Sequence, residues 1–268
     1  MIVAIEAIRR MRGGAQAQLM RCAGESYYVV KFQNNPQGVR ILANELLGTR
    51  LAARLGVPVA APAVVEVRPE LVAQTEDLVI QWARSRAPCS AGRQFGSRYP
   101  GSPAETVVAD FLPEARLGAV SNLADFCGML VFDKWTCNTN GRQAIFFTRP
   151  QGEDGGAPQA VMIDQGFCFN AGEWNFPDAP LRGLYMRHRV YESVRGIESF
   201  EPWLSRLENG ITPASLEEAA SEIPPEWYNA DQDALERMLE QLFRRRKLVR
   251  ELLISAWKSS VQPFPNWK

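Results

Sequence analysis

Three residues of this 268-residue chain have surroundings that point to chemistry: Lys31, Glu45 and Asp164. Lys31 lies in "YYVVKF", where Tyr27, Val29 and Lys31 share one face of an extended segment and Tyr28, Val30 and Phe32 the other. Both faces are apolar. The ammonium therefore sits in or beside a core, where it needs an anion, unless its stem carries it out to water. Glu45 can be that anion. Ile41, Glu45, Gly48, Ala52 and Leu55 recur at helical spacing with Leu42 and Leu46 beside them, so Glu45 points inward. A buried pair of this kind contributes uncertain net stability and more often marks a site. The third residue, Asp164, ends the apolar run "AVMI" and precedes Gln165 and Gly166. A carboxylate held rigidly at the exit of a buried strand, with glycine after it, leaves room for a divalent cation. The alternative is an ordinary strand-ending aspartate in a turn.

The intervening chain supplies a context for phosphate chemistry. Gly13 and Gly14 lie between two strand candidates upstream of Lys31. They let backbone N–H groups approach a phosphate closely, and they also suit a plain hairpin turn. "FCGMLVFDKW" reads as an apolar helix, "TCNTNGRQ" as a polar loop and "AIFF" as a strand, followed by a Gly/Pro-rich loop at 149–159. Helix, polar loop, hairpin and Asp-x-Gly is the order of a kinase catalytic loop and metal-binding segment. A lysine on a strand paired to a helix glutamate holds nucleotide phosphate in the same enzymes.

The elements that must position these groups divide the chain. Up to about residue 113 strands predominate: 2–9, 16–21, 27–32, 63–67, 77–82 and 106–113 read as strands, and 39–55 as a helix capped by Gly56. Residues 85–106, rich in Ser, Arg, Gly and Pro, read as a mobile loop. Ser85, Ser90, Ser97 and Ser102 lie there among Arg84, Arg86, Arg93 and Arg98, as candidate sites of self-phosphorylation. Beyond this, 121–135 and a long stretch at 229–258 read as helices, the arginines of "FRRRKLVRELL" forming a solvated face. The expectation is an α+β, two-lobed fold: a β-rich lobe over 1–112, a mainly helical lobe over 113–268, and a cleft between them.

Composition narrows the classes. Thirty basic and thirty acidic residues cancel, so no global field favours nucleic acid or an anionic membrane. The first residues are too short and too charged for a signal peptide, and no apolar run approaches a membrane span. Five scattered cysteines without a C-x-x-C pair fit a reduced cytoplasmic setting and argue against structural zinc. His188 lies among arginines and reads as a surface residue, which removes most support for histidine-based triads and metal sites.

"YYVVKFQNNPQG", "ANELLGTRLAARLGVPV", "GRQFGSRY", "VFDKWTCNTNGRQ" and "VMIDQGFCF" together resemble the HipA-like kinases, bacterial serine/threonine kinases best known as toxins of toxin–antitoxin pairs. The polar loop is more distantly similar to that of type II phosphatidylinositol 4-kinases. The resemblance implies a protein-kinase-like fold, an ATP and Mg²⁺ site in the cleft and transfer to a protein serine or threonine. It implies that Lys31 meets the ATP phosphates, Glu45 is its partner, Asp164 binds metal, and 107–113 is the hinge, with Val108 and Asp110 beside adenine. Gly13 and Gly14 would cover the phosphates. An antitoxin-like protein partner would follow; direct binding of nucleic acid or membrane would not.

Two positions depart from the family. Its loop reads Asn-Thr-Asp, with the aspartate as base; here it reads Asn138-Thr139-Asn140. An amide cannot take a proton as a carboxylate does. The metal-binding asparagine expected five residues later is Ile145, leaving Gln143 as the substitute ligand. Asp133, before the loop, is the other candidate for a base or for a group that orients the loop. Three functions follow: a protein kinase with a modified base, a nucleotide-binding pseudokinase acting through a partner, and a small-molecule or lipid kinase.

Overall fold

The first half of the chain closes on itself as a barrel. The computed structural model describes residues 2–148 and 156–268. Strands β1 (Ile2–Arg10), β2 (Gln18–Cys22), β3 (Ser26–Lys31), β4 (Pro62–Val67) and β7 (Gly92–Arg98) close in the order β1-β2-β3-β7-β4. Within the barrel the β1–β4 pairing is parallel, with Ile2 opposite Val65, and the others are antiparallel. Tyr28, Val30 and Phe32 point into the barrel with Met20, Cys22 and Val65. The alternation of β3 therefore turns Val29 and Lys31 the other way, toward the cleft. A short ribbon of β5 (Val79–Gln81) and β6 (Arg86–Pro88) lies against the barrel, and the small helix α2 (Pro69–Gln74) links β4 to it.

Helix α1 (Arg40–Arg54) packs between the barrel and the second half of the chain. Its end follows glycine's conformational freedom: Gly56 adopts φ 77°, its N–H bonds the Ala53 carbonyl and that of Val57 bonds Ala52. The connection carries β8 (Val108–Ala109) and α3 (Glu114–Leu117) into α4 (Asp125–Thr136). β8 adds to a second sheet, β8-β9-β10, made with β9 (Gln143–Phe147) and β10 (Gln159–Ile163). Helices α5 (Trp203–Gly210), α6 (Pro213–Ala220), α7 (Gln232–Arg245) and α8 (Val249–Trp257) complete a helical half around the fully buried Trp135 and Trp227.

Five expectations need correction. Residues 85–106 are not one loop: β7 is a central barrel strand, paired to β3 and β4. The glycine that reads as a breaker is a close approach, since a Cβ at Gly96 would lie 2.5 Å from Val65 Cγ2. Ser97 is in that strand and Ser90 is bonded to Asn34, so neither sits on a free loop. The strand expected at 106–113 is two residues long. The helix expected at 229–258 is two helices, and the expected solvated arginine face fails at Arg245. That side chain is buried at the break, bonded to the Trp135 and Lys134 carbonyls and to Asp178. His188 is half-buried in a 3-10 turn at His188–Tyr191, and burial lowers its pKa. Most of the Gly/Pro-rich loop expected at 149–159 lies outside the described residues.

Candidate active site

The site grows from β3, α1 and β10. β3 ends at Lys31, and α1 brings Glu45 beneath it, 2% exposed. β10 delivers Asp164, whose φ of 63° falls in the left-handed region that aspartate tolerates better than most residues. The turn aims its carboxylate back at the lysine. Lys31 Nζ donates to Glu45 and, at 2.7 Å, to Asp164 Oδ1. Burial works against the lysine's charge, but the two carboxylates outweigh it and hold the ammonium above its ordinary range. They divide the benefit unevenly. Burial lifts Glu45 despite Lys31, whereas Asp164 is held below the usual carboxylate range because Lys31 and Arg142 overcome its burial.

Glu45 also accepts from the backbone N–H groups of Gln165 and Gly166, at 3.1 and 3.0 Å. Its neighbour Asn44 donates to the carbonyls of Gly166, Cys168 and Ala171, and accepts from Trp174 Nε1 at 2.8 Å. Gly48 is small because Gln165 Cβ would lie 2.9 Å from any Cβ there. The helix and the Asp-Gln-Gly turn are thus one bonded unit.

These groups open into a cleft of about 500 Å³. Gly13, Gly14, Lys31, Glu45, Val108, Asp110, Asn140, Gln143 and Asp164 all line it. Gly13 adopts φ 117° in the turn between β1 and β2, as a glycine turn requires. Gln143, the first residue of β9, donates from Nε2 to Asp164 Oδ2 at 2.8 Å, so the candidate metal ligands are adjacent. A larger hollow of about 1080 Å³, between α6 and α7, holds none of these groups.

Asp133 and Asn138 are elsewhere. Both are buried and neither lines the cleft. Helix α4 ends at Cys137 in a left-handed conformation, and the chain turns so that Asn138 Nδ2 donates to Asp133 Oδ1 at 3.0 Å. Arg142, also buried, donates to Asp133 from Nε at 2.7 Å and from Nη2. Its Nη1 donates to the Ile163 carbonyl at 2.6 Å, one residue before Asp164. Asp133 is therefore consumed inside the loop as its anchor. Asn138 Oδ1 accepts from the Asn140 N–H, and Asn140 Oδ1 from that of Gly141, which presents Asn140 at the cleft floor. Sequence reasoning missed Arg142 and Asn44. The available signal was a polar residue set directly against an apolar run in "RQAIFF" and "LANELL".

The fit to a nucleotide and a metal can be tested on these residues. The cleft volume falls in the range of small-ligand sites. Among the described residues no group of three or more His, Cys, Asp or Glu could cage a metal. A cation taken by Asp164 and Gln143 would thus depend on phosphate oxygens and water for its remaining ligands, the habit of Mg²⁺.

No curated protein matches the chain. Among solved structures, the Golgi casein kinase superposes with a TM-score of 0.56 at 12% identity, over 96% of this chain and 74% of that one. The Golgi casein kinase with Mn/ADP bound gives 0.53 at 12%, over 97% and 73%. At that identity the likeness shows the fold, a two-lobed protein-kinase-like one. A family model described as HipA-like kinase matches residues 4–146, more than half of the sequence, from β1 through the glycine turn, the Lys31–Glu45 pair and the polar loop into β9. This chain belongs to the HipA-like kinase family.

Proposed function

We propose that the chain binds Mg-ATP in the cleft and transfers the γ-phosphate to a serine or threonine of a protein, in the cytoplasm. The observation that carries this is the Lys31 ammonium shared between Glu45 and Asp164 within the cleft. In this reading the lobes meet near residue 112, and Val108 and Asp110 border the adenine. Lys31 turns from Asp164 to the nucleotide phosphates while Glu45 keeps it oriented, and the N–H groups of the Gly13–Gly14 turn cover them. Asp164 and Gln143 hold the metal, Gln143 by rotating its amide so that Oε1 replaces Nε2. When bound, the metal neutralises charge on the transferring phosphoryl group. Asn140 fixes the acceptor hydroxyl by a hydrogen bond without taking its proton, which passes late to an oxygen of the transferred phosphoryl group as ADP leaves. A loose transition state tolerates this, because positioning and charge neutralisation carry most of the catalysis.

A second reading, a nucleotide-binding pseudokinase acting through an antitoxin-like partner, is favoured by one observation. Among the described residues the carboxylates lining the cleft are Glu45, Asp110 and Asp164, and none belongs to the polar loop. Incubation with radiolabelled Mg-ATP, alone and with a lysate, beside a nucleotide titration, separates the two. Transfer selects the kinase and binding without transfer the pseudokinase; absence of binding refutes both.

A further inference from the structure

We propose that an arginine-rich surface beside the glycine turn is the docking site for an acidic segment of the protein substrate. The inference rests on the kinase reading above and names the substrate class for that cleft. Between Glu6 and Glu25 the charged residues are Arg9, Arg10, Arg12 and Arg21; between Asp77 and Glu105 they are Arg84, Arg86, Arg93 and Arg98. The fold neutralises two of these eight: Arg21 pairs with Glu6 at 2.8 Å and Arg93 with Glu226 at 2.6 Å. Among the described residues, the other six have no carboxylate within 4.0 Å.

Four of the six are brought together. Gln81, at the end of β5, accepts from Arg10 Nη1 at 3.0 Å and exchanges two bonds with Gln16, at 2.6 and 2.8 Å. These bonds fasten the β5–β6 ribbon to the β1–β2 turn. Arg86 faces Gln81 across the ribbon, and Arg84 sits in its turn, which the Trp82 N–H closes on the Ser85 carbonyl at 2.8 Å. Arg10, Arg84 and Arg86 are exposed, and Trp82 stands 40% exposed among them. Arg12, on the same turn as Gly13 and Gly14, reaches the cleft. The surface therefore runs from the ribbon tip into the cleft where an acceptor hydroxyl must arrive.

Unpaired arginines beside an exposed indole suit carboxylates flanked by apolar side chains, since guanidinium binds carboxylate in a fork. The whole chain has no net charge, so no global field adds to that of the patch. What remains is a local contact screened over about 10 Å at 0.1 M salt.

The test is fluorescence anisotropy with a fluorescein-labelled peptide carrying one serine among glutamates, a lysine counterpart, and single-stranded oligouridylate. The acidic peptide should bind and the lysine peptide should not. Binding should weaken at least about fivefold in R84E/R86E, and by less in R84A/R86A, with melting temperatures unchanged because both side chains are exposed. Lys31→Met should leave peptide binding intact, so loss of nucleotide binding and loss of docking are read separately. Equal binding by wild type and R84E/R86E, or binding of oligouridylate in place of the peptide, overturns the proposal.

Discussion

Removing the Arg142 guanidinium should be among the costliest single substitutions in this protein. Both side chains of the Arg142–Asp133 pair have no exposure. Arg142→Ala strips the Asp133 carboxylate of two hydrogen bonds and of its neutralising charge, and leaves Asn138 Nδ2 as its remaining side-chain donor among the described residues. It also removes the side-chain donor to the Ile163 carbonyl. Breaking a buried pair in this way costs about 3–5 kcal/mol, against a total stability of about 5–15 kcal/mol. At about 2–4 °C per kcal/mol for a chain of this size, the melting temperature should fall by about 6–20 °C. Scanning calorimetry or denaturant titration reads this directly. The control is Asp133→Leu with Arg142→Leu, which leaves no uncompensated charge and should cost clearly less than the two single changes summed. A loss below about 1 kcal/mol for Arg142→Ala, or strict additivity in the cycle, would refute the anchoring role.

Lys31→Met and Asp164→Asn should each weaken Mg-ATP binding at least about tenfold, roughly the 1.4 kcal/mol expected from losing one charged contact; wild-type affinity in both, by calorimetric titration, removes the cleft assignment. Asn140→Asp should raise transfer by adding a proton acceptor where Asn140 holds the hydroxyl, within the ~10²–10⁴ range of general-base catalysis, and only with Asp164 intact; a fall in radiolabel transfer would refute that gain and leave the amide hydrogen bond as the better arrangement. Gly96→Ala should cost about 1–3 kcal/mol by overpacking against Val65 and Tyr28, and an unchanged unfolding midpoint would contradict the packing. Burial lowers Lys134 from 10.5 to about 8. The folded state thus sheds this proton before the unfolded state does, and wild type should gain stability relative to Lys134→Met as pH rises from about 8 to about 10.5. A constant difference in melting temperature across that window counts against it.

The lysine and glutamate were legible because burial forces a partner on each, and helical spacing alone turns Glu45 inward. Asp164 was legible from its position at the end of an apolar run. β7 was not, because Gly96, Ser97 and Arg98 mimic a loop and their place is set by Val65 and Tyr28, which are distant in sequence. The break between α7 and α8 was hidden in the same way. Nothing within "FRRRKLVREL" reports that Arg245 answers carbonyls more than a hundred residues earlier. Spacing put Asp133 just before the loop, but its burial against Arg142 was hidden, because that contact is not revealed by spacing.

The bonds of α1 bear on how the cleft can be drugged. Asn44 and Glu45 grip the turn after Asp164, while Arg40 reaches the Gly172 carbonyl and Arg50 that of Ala219, at 2.8 and 3.1 Å. The helix is thereby moored along its length to the helical half of the molecule. Inhibitors that gain selectivity by wedging a regulatory helix aside would have to break every one of those moorings before finding a back pocket. Compounds for this cleft should instead draw their selectivity from side chains that line it away from the helix, among them Tyr99, Val108 and Tyr185.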